Sequence, residues 1–245
     1  MTDAATLKRE LLAAYHILDL FGQNAGIAGH LTARLPGGDS FWCHGYGQGF
    51  EDVRAADLHR ADMDLNVLDG PGRINPSHVI HTGLYRARPD VCCVIHTHSL
   101  HSVALSATGV NLKPLFQSAL MFEGDISLHR EYGGIVDTRE TGEELARALG
   151  PGRALLLANH GTLLVGRSIR EAVHCAIMLD DACRIQLSAM AAAAGAPLCE
   201  VDAASANDAK RFLLSDTVLA LRWNHYMRRV LAAKPWLAAE LDALA

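Results

Sequence analysis

Apolar positions recur along the chain with two spacings, one typical of helices and one typical of short buried strands. The first stripe at helical spacing consists of Leu7, Leu11, Tyr15 and Leu18. Gly22 follows it as a stop signal, so we predict a first helix that ends there. Residues 26 to 42 combine short apolar stretches with the turn sequence PGGD, which predicts a hairpin. The glycine-rich segment HGYGQGF at 44 to 50 predicts a loop after the hairpin.

The middle of the chain predicts a helix followed by short buried strands. Apolar positions between Pro76 and Arg88 fit one helical face, and Pro89 ends that helix before the apolar run VCCVIHT. ALLLAN, at 154 to 159, is another candidate for a buried strand, and HGTLLVG, at 160 to 166, predicts a turn into a further strand.

The last part of the chain is predicted to be helical. Ser168 can cap a long alanine-rich helix that runs to about Ala194, and a second helix is predicted from Asp208 to Ala232. The segment AGAPLCEVDAASAND between them is the candidate linker. A central sheet with helices on its flanks fits this order, which places the chain in the α/β class.

Size and composition favour one domain. The chain has 245 residues, of which 50% are hydrophobic, enough to bury a substantial core. We predict a single domain over 1–245, with a core of about 7–190 and a helical C-terminal segment of about 207–245. Six cysteines occur without a CxxC pair, so we expect reduced thiols rather than disulfides, a zinc ribbon or a thioredoxin site.

Charge narrows the classes of partner. Lysine and arginine number 22 against 27 acidic residues, a net charge of −5, which does not predict a basic groove for nucleic acid. Charged residues interrupt the apolar positions of the N-terminal helix, so it reads neither as a signal peptide nor as a membrane span. We therefore expect a cytoplasmic protein without a nucleic-acid or membrane partner.

Two histidines in VIHTHS, His96 and His98, are the strongest chemical signal. Residues i and i+2 of a strand point to the same face, so both rings can reach one metal ion. His160 is the best third candidate because it also ends an apolar run, and Gly161 after it would let the backbone turn sharply. Three imidazoles leave a coordination position open, as a catalytic site requires. The alternative is a set of ordinary, partly buried histidines with satisfied hydrogen bonds.

RPDVCCVIHTHS, together with NHGTLLVG downstream and GIAGHLTAR upstream, resembles the class II aldolase/adducin family. The resemblance runs in the same order from about the first helix to about residue 190. It implies a three-layer α/β/α sandwich around a mainly antiparallel sheet, and a homotetramer with active sites at subunit interfaces. It also implies one divalent metal ion per subunit, held by His96, His98 and His160, that stabilises an enediolate. We expect zinc first, with manganese, iron or cobalt as alternatives and no organic cofactor.

The chain departs from the family's aldolases at the phosphate and acid/base positions. Their segment SSExxxH reads NPSHVIH here, so Asn75 and Pro76 stand at the two serines and Ser77 stands at the acid/base glutamate. The phosphate-contacting Gly-Asn pair corresponds to Gly29 and His30. Neither replaced serine leaves its hydroxyl, and proline has no N–H to donate. These departures disfavour a phosphorylated sugar as the substrate.

Several residues could take over the lost functions. His30 could hold or protonate a carboxylate, or it could be a loop histidine bonded to backbone. His81 or His78 could act as acid/base or only pack, and Ser77 could act or only cap the helix. Asn75 and Gly29, at the altered phosphate positions, remain candidates for binding the substrate.

Aromatic residues supply two more candidates. Phe41 and Trp42 could form an aromatic wall of the pocket or belong to the core. Tyr226 resembles the C-terminal tyrosine that the family's aldolases use as a proton donor.

Four functions remain open at this point. Decarboxylation forms its carbanion by losing carbon dioxide and then needs only a proton donor, so this reaction does not require the glutamate. We therefore expect a metal-dependent carbon–carbon lyase, first a decarboxylase of a hydroxylated aromatic acid or an oxo acid, with a role in aromatic compound catabolism. The alternatives are an aldolase on a small unphosphorylated aldehyde or 2-oxo acid, an Fe(II) oxygenase of aromatic acids, and a non-catalytic adducin-like interaction module.

Overall fold

The computed structural model describes residues 3–24 and 26–244. Within them the chain forms one eight-stranded sheet with helices on both faces. The strands are β1 His30–Arg34, β2 Ser40–Cys43, β3 His59–Asp62, β4 Val67–Asp69, β5 Cys93–Thr97, β6 Ile126–His129, β7 Ala154–Leu157 and β8 Gly161–Gly166. The helices are α1 Ala4–Leu20, α2 Val79–Ala87, α3 Leu100–Ala107, α4 Arg139–Leu149, α5 Ile169–Ala193, α6 Ala203–Leu213, α7 Asp216–Ala233 and α8 Leu237–Asp242.

The sheet has the order β4-β3-β2-β1-β5-β8-β7-β6. Every neighbouring pair is antiparallel except β6 and β7, which run parallel. Strands β5, β7 and β8 are buried along their whole length, as expected where helices cover both faces of a sheet. The predicted three-layer sandwich with a mainly antiparallel sheet is confirmed.

Alternation along the strands divides the core between the two faces. Cys93 and Ile95 of β5 pack on one face with α1 and α5, and the C-terminal helices extend this part of the core. Val94 of β5 packs on the other face against α2 and α4. His30, Thr32 and His96 lie on this second face, because successive residues of a strand point to opposite sides.

Arg34 fixes helix α2 against the sheet. Its guanidinium donates to the backbone carbonyls of Tyr85, Arg88, Pro89 and Val91, at the C-terminal end of α2 and just beyond it. These carbonyls have no partner within the helix, so one side chain of β1 satisfies them. The contact holds α2 at a set distance from β1, which matters for the site below.

Several predicted elements appear where expected. The hairpin is formed by β1 and β2, the glycine-rich segment after it is a loop, and Ser168 caps α5 by accepting the N–H of Glu171 at 3.2 Å. The prediction of one helix over 208–232 was wrong, because α6 ends at Leu213 and Ser215 caps a separate helix α7. The predicted linker is also shorter, since α6 already begins at Ala203.

No helix in the described part of the chain has both the length and the apolar character needed to span a membrane.

Candidate active site

Three imidazoles converge where β5 ends and β8 begins. His96 lies in β5, His98 follows that strand, and His160 lies in the turn between β7 and β8. One ring nitrogen from each lies within 4.8 Å of the others, and the Nε2 atoms of His96 and His98 are 2.9 Å apart. The structure therefore brings together the three histidines that the sequence suggested.

Two residues of the β7–β8 turn make this approach possible. Asn159 adopts a left-handed conformation with φ of 59°, and the N–H of His160 donates to the carbonyl of Leu157 at 3.1 Å. Gly161 was expected to allow the turn, but the left-handed residue is Asn159. Gly161 is needed for close packing, because a Cβ there would overlap the carbonyl oxygen of Thr97 and lie 2.6 Å from His98 Cδ2.

Hydrogen bonding prepares His96 as a metal ligand. Its Nδ1–H donates to the carbonyl of Thr162 at 3.0 Å, which leaves the Nε2 lone pair facing the other two rings. Burial, with His98 and His160 nearby, lowers the pKa of His96 well below its usual range. Burial also lowers the pKa of both His98 and His160. Three neutral imidazoles fit a divalent ion such as zinc and leave room for a substrate.

A cavity of about 450 Å³ opens beside these rings. Its polar wall contains His30, Asn75, Ser77 and the three clustered histidines, whereas Ile27, Ile80, Ile135 and Val136 form most of its apolar wall. Tyr46 and Tyr132 stand at the mouth and are 53% and 62% exposed. Among the described residues that line the cavity, Asp137 is the one with a formal charge, and no lysine or arginine takes part.

A larger groove of about 670 Å³ lies beyond the opposite end of β1, beside Arg34, Pro89 and Cys92. The Arg34 guanidinium there is already committed to backbone carbonyls. The groove is remote from the clustered histidines, so the smaller cavity is the candidate active site.

A second group of polar side chains lies behind the cavity wall. His30 Nδ1 is 2.6 Å from His81 Nε2, and His81 Nδ1 is 2.7 Å from the Thr32 hydroxyl. The Thr32 hydroxyl is in turn 2.7 Å from the Tyr85 hydroxyl. All four residues are buried, and burial lowers the pKa of both His30 and His81 well below the usual range. Both imidazoles are therefore neutral.

His30 reaches the cavity and His81 does not. His30 and His96 are directly paired across β1 and β5, and their ring centroids are 4.7 Å apart. His81 lies behind His30 and can influence the cavity only through it. His78 is fully buried, neither of its ring nitrogens has a hydrogen-bond partner within the described chain, and burial lowers its pKa to about 3.

Helix and strand positions decide the roles of four other candidates. Asn75, not Ser77, is the capping side chain, because its Oδ1 accepts the N–H of Ser77 at 2.9 Å at the start of the 3-10 turn Pro76–His78 that leads into α2. Both side chains face the cavity.

Gly29 precedes His30, and a Cβ at this position would lie 3.1 Å from Phe50 Cζ, so the chain passes close to that ring. Phe41 lies on the same sheet face as the histidines, 5.8 Å from the ring of His78, but it is completely buried in the core.

Two predicted residues are not brought to this cavity. Trp42 points to the opposite face of the sheet, since it neighbours Phe41 on β2, and it packs in the core around α1. Tyr226 is 3% exposed on α7, where its hydroxyl lies 2.8 Å from His174 Nδ1 in the other helical layer. The predicted aromatic wall therefore lacks Trp42, and Tyr226 does not face the site within one chain.

Sequence reasoning missed the residues at the cavity mouth. Tyr46 lies in the glycine-rich loop, and Tyr132, Ile135 and Asp137 lie in the loop before α4. The signal for them was an aromatic or apolar residue beside glycines in a polar loop, as in HGYGQGF and REYGGIVD.

Comparisons with known proteins match the chain to a family model, to relatives and to solved structures. The family model described as Class II Aldolase and Adducin N-terminal domain matches residues 9–187. A 4-hydroxy-3-prenylphenylpyruvate oxygenase/4-hydroxy-3-prenylbenzoate synthase from Streptomyces roseochromogenus subsp. oscitans is 34% identical over 243 residues, covering 96% of this chain and 85% of the relative. Decarboxylase NovR from Streptomyces niveus is 35% identical over 242 residues, covering 96% and 87%. The solved structure of an L-fuculose 1-phosphate aldolase from Glaciozyma antarctica PI12 superposes with a TM-score of 0.82 at 30% identity, covering 94% of this chain and 90% of that one.

Proposed function

The chain belongs to the class II aldolase and adducin family, and we propose that it is a metal-dependent carbon–carbon lyase acting on an unphosphorylated carboxylate. Within that class we propose a decarboxylase of a hydroxylated aromatic acid or of an oxo acid. The proposal includes a cytoplasmic homotetramer with active sites at its subunit interfaces.

The observation that carries this proposal is the charge of the cavity wall. A phosphate dianion is usually matched by arginine, lysine or several backbone N–H groups, and neither arginine nor lysine is present among the described residues that line the cavity. Pro76, at one of the altered phosphate positions, lines the cavity and has no N–H to offer. A carboxylate needs fewer partners, so it suits this wall better than a phosphate.

His96, His98 and His160 would hold the metal ion. A divalent ion bound there supplies Lewis-acid stabilisation of the negative charge that develops on substrate oxygen. Zinc is the first candidate because the donor set is three neutral imidazoles, and manganese, iron or cobalt would also accept it. His30, Asn75 and Ser77 then face the substrate from the polar wall.

Decarboxylation suits the groups that face the cavity. The bond between the carboxyl carbon and its neighbour breaks, carbon dioxide leaves, and the electron pair left behind takes up one proton. No carboxylate base is required, which agrees with Ser77 at the position of the aldolase glutamate. Tyr46, Tyr132 and Ser77 line the cavity, and each carries a hydroxyl that could deliver the proton directly or through water.

The names of two relatives bear on the reaction, and one of them names a phenylpyruvate and a benzoate. The similarity to a protein named decarboxylase supports the first candidate. The similarity to a protein named oxygenase, at 34% identity, favours a second candidate, an Fe(II)-dependent oxygenase of aromatic acids. Both candidates use the same three histidines, so oxygen dependence separates them.

The test is release of carbon dioxide by protein loaded separately with zinc, manganese, iron or cobalt. Hydroxybenzoates, dihydroxyphthalates and 2-oxo acids are supplied under strict anaerobiosis, and release from one of these classes is expected. His160→Ala should abolish it, whereas His225→Ala, at an exposed position on α7, should not. Turnover that requires oxygen would contradict the lyase proposal and favour the Fe(II)-dependent oxygenase. A protein that takes up no divalent metal would instead favour an adducin-like interaction module.

A further inference from the structure

A continuous chain of hydrogen bonds leads from the backbone to the cavity. It begins at the carbonyl oxygen of Cys92, 3.3 Å from the Tyr85 hydroxyl. It continues through Thr32 at 2.7 Å and His81 at a further 2.7 Å, and ends at His30 Nδ1, 2.6 Å from His81 Nε2. These side chains are 2% exposed or less, so water does not interrupt the chain.

The carbonyl fixes the direction of every bond in the chain. A carbonyl only accepts, so the single hydroxyl proton of Tyr85 is donated to Cys92. The Tyr85 oxygen then accepts the Thr32 proton, and the Thr32 oxygen accepts the Nδ1–H of His81. A neutral His81 with its proton on Nδ1 has a lone pair on Nε2, so His30 must donate its own Nδ1–H to it.

The reverse direction leaves one contact without a proton. If Tyr85 donated to Thr32, the order of donors would invert along the chain and His30 would carry its proton on Nε2. The contact between the Tyr85 and Cys92 oxygens would then join two acceptors. The direction that starts at Cys92 gives every contact its hydrogen and is therefore the favoured one.

His30 Nε2 is the free end of the chain. His30 lines the cavity, and no group in the described chain pairs with its Nε2. His30 Nε2 is also not a completely buried atom without a partner, in contrast to both ring nitrogens of His78. Whatever meets His30 Nε2 therefore comes from the substrate or from solvent.

We propose that His30 presents an unprotonated Nε2 to the cavity and recognises the substrate by accepting a hydrogen bond from a phenolic or enolic hydroxyl. This deepens the proposed function and rests on it for the class of substrate. This proposal takes the place of the expectation that His30 holds a carboxylate, because a lone pair facing a carboxylate oxygen is repulsive. Tyr85, Thr32 and His81 are positioning residues that act through His30.

The tautomer of His30 can be measured directly by ¹⁵N NMR. Protein labelled with [¹⁵N]histidine and loaded with zinc is compared with His30→Gln, which assigns the His30 resonances. The wild-type spectrum should show the His30 proton on Nδ1, the less common form of neutral histidine in water. A proton on Nε2 in the wild-type protein overturns the proposal, whatever the variants do.

Thr32→Val removes the hydroxyl while keeping the shape of the side chain. The variant should convert His30 wholly or partly to the form with a proton on Nε2. Thr82→Val is the matched control: Thr82, on α2, is buried like Thr32, but within the described chain its hydroxyl bonds only to the Val79 carbonyl and to Arg86. An unchanged His30 tautomer in folded Thr32→Val overturns the assigned positioning role.

A pair of probes tests the recognition itself. By calorimetry, 4-hydroxybenzoate should bind the zinc-loaded protein about tenfold more tightly than 4-methoxybenzoate, the loss expected for one hydrogen bond. The preference should disappear in His30→Phe. If carbon dioxide is released but 4-hydroxybenzoate binds no more tightly than 4-methoxybenzoate, the recognition role of His30 is overturned and the proposed reaction is not. An Nδ1–H form of His30 with the hydroxyl preference, but no carbon dioxide release, overturns only the proposed reaction.

Discussion

His78→Phe should remove one residue's share of the protein's loss of stability in mild acid. His78 is fully buried, its ring nitrogens have no hydrogen-bond partner in the part of the chain that the structure describes, and burial lowers its pKa to about 3 against an ordinary value of 6.5. The unfolded chain therefore binds a proton at higher pH than the folded one, so stability is retained above about pH 6.5 and is lost as pH falls. Between pH 7 and pH 5 this one residue should cost about 2 kcal/mol of unfolding free energy.

The assay is urea unfolding of the metal-free protein at pH 7 and pH 5, at one fixed protein concentration. The packing cost of the larger phenyl ring lowers the unfolding free energy equally at both pH values. The change in unfolding free energy between pH 7 and pH 5 therefore isolates the effect of the proton. His225→Phe, at an exposed position, should lose as much unfolding free energy between pH 7 and pH 5 as the wild type does. The reasoning is refuted if His78→Phe loses as much stability as the wild type on going from pH 7 to pH 5.

Three further predictions concern the histidine cluster. His96→Ala and His160→Ala should each abolish stoichiometric metal binding while the far-ultraviolet circular dichroism stays unchanged; metal retained at wild-type affinity would remove the assigned site. Gly161→Ala should lower the unfolding free energy by about 1–3 kcal/mol and weaken metal binding, because its Cβ overlaps Thr97 and His98. Gly133→Ala is the control, since its Cβ has open space, and equal effects of the two variants would contradict the packing explanation. Zinc at about 100 times its dissociation constant should raise the unfolding free energy by about 2.7 kcal/mol, and chelation should reverse this without unfolding the chain.

The sequence predicted the elements whose signals are local. The stripe from Leu7 to Leu18, the turn PGGD and the cap Ser168 each act within a few residues, and the structure contains the corresponding helix, hairpin and capped helix. The break between α6 and α7 was missed because Ser215 sits in a pattern that is otherwise continuous. The short strand β3 was missed because three of its four residues are polar, including the buried His59, and β4 was missed because all three of its residues are exposed.

The site shows the same division between local and distant signals. His96 and His98 share a face by strand alternation alone, so their spacing was informative. The pairing of His30 with His96 depends on the register of β1 against β5, strands more than 50 residues apart, and no local pattern encodes that register. The contacts among His81, Thr32 and Tyr85 depend on the docking of α2, which Arg34 fixes through backbone carbonyls.

Charge balance connects the two groups of histidines to the class of substrate. Burial keeps His30, His81 and His96 neutral, so these imidazoles add no positive charge to the cavity. With a divalent ion on His96, His98 and His160 and one carboxylate at Asp137, the lining would carry a net charge of about +1. A monocarboxylate neutralises that charge, whereas a phosphate dianion would leave an excess negative charge beside a wall whose described residues include no arginine or lysine. Neutral histidines can then discriminate among carboxylates only through hydrogen bonds. The chain of hydrogen bonds that starts at the Cys92 carbonyl leaves His30 Nε2 as an acceptor, so this atom would select a substrate that carries a hydroxyl.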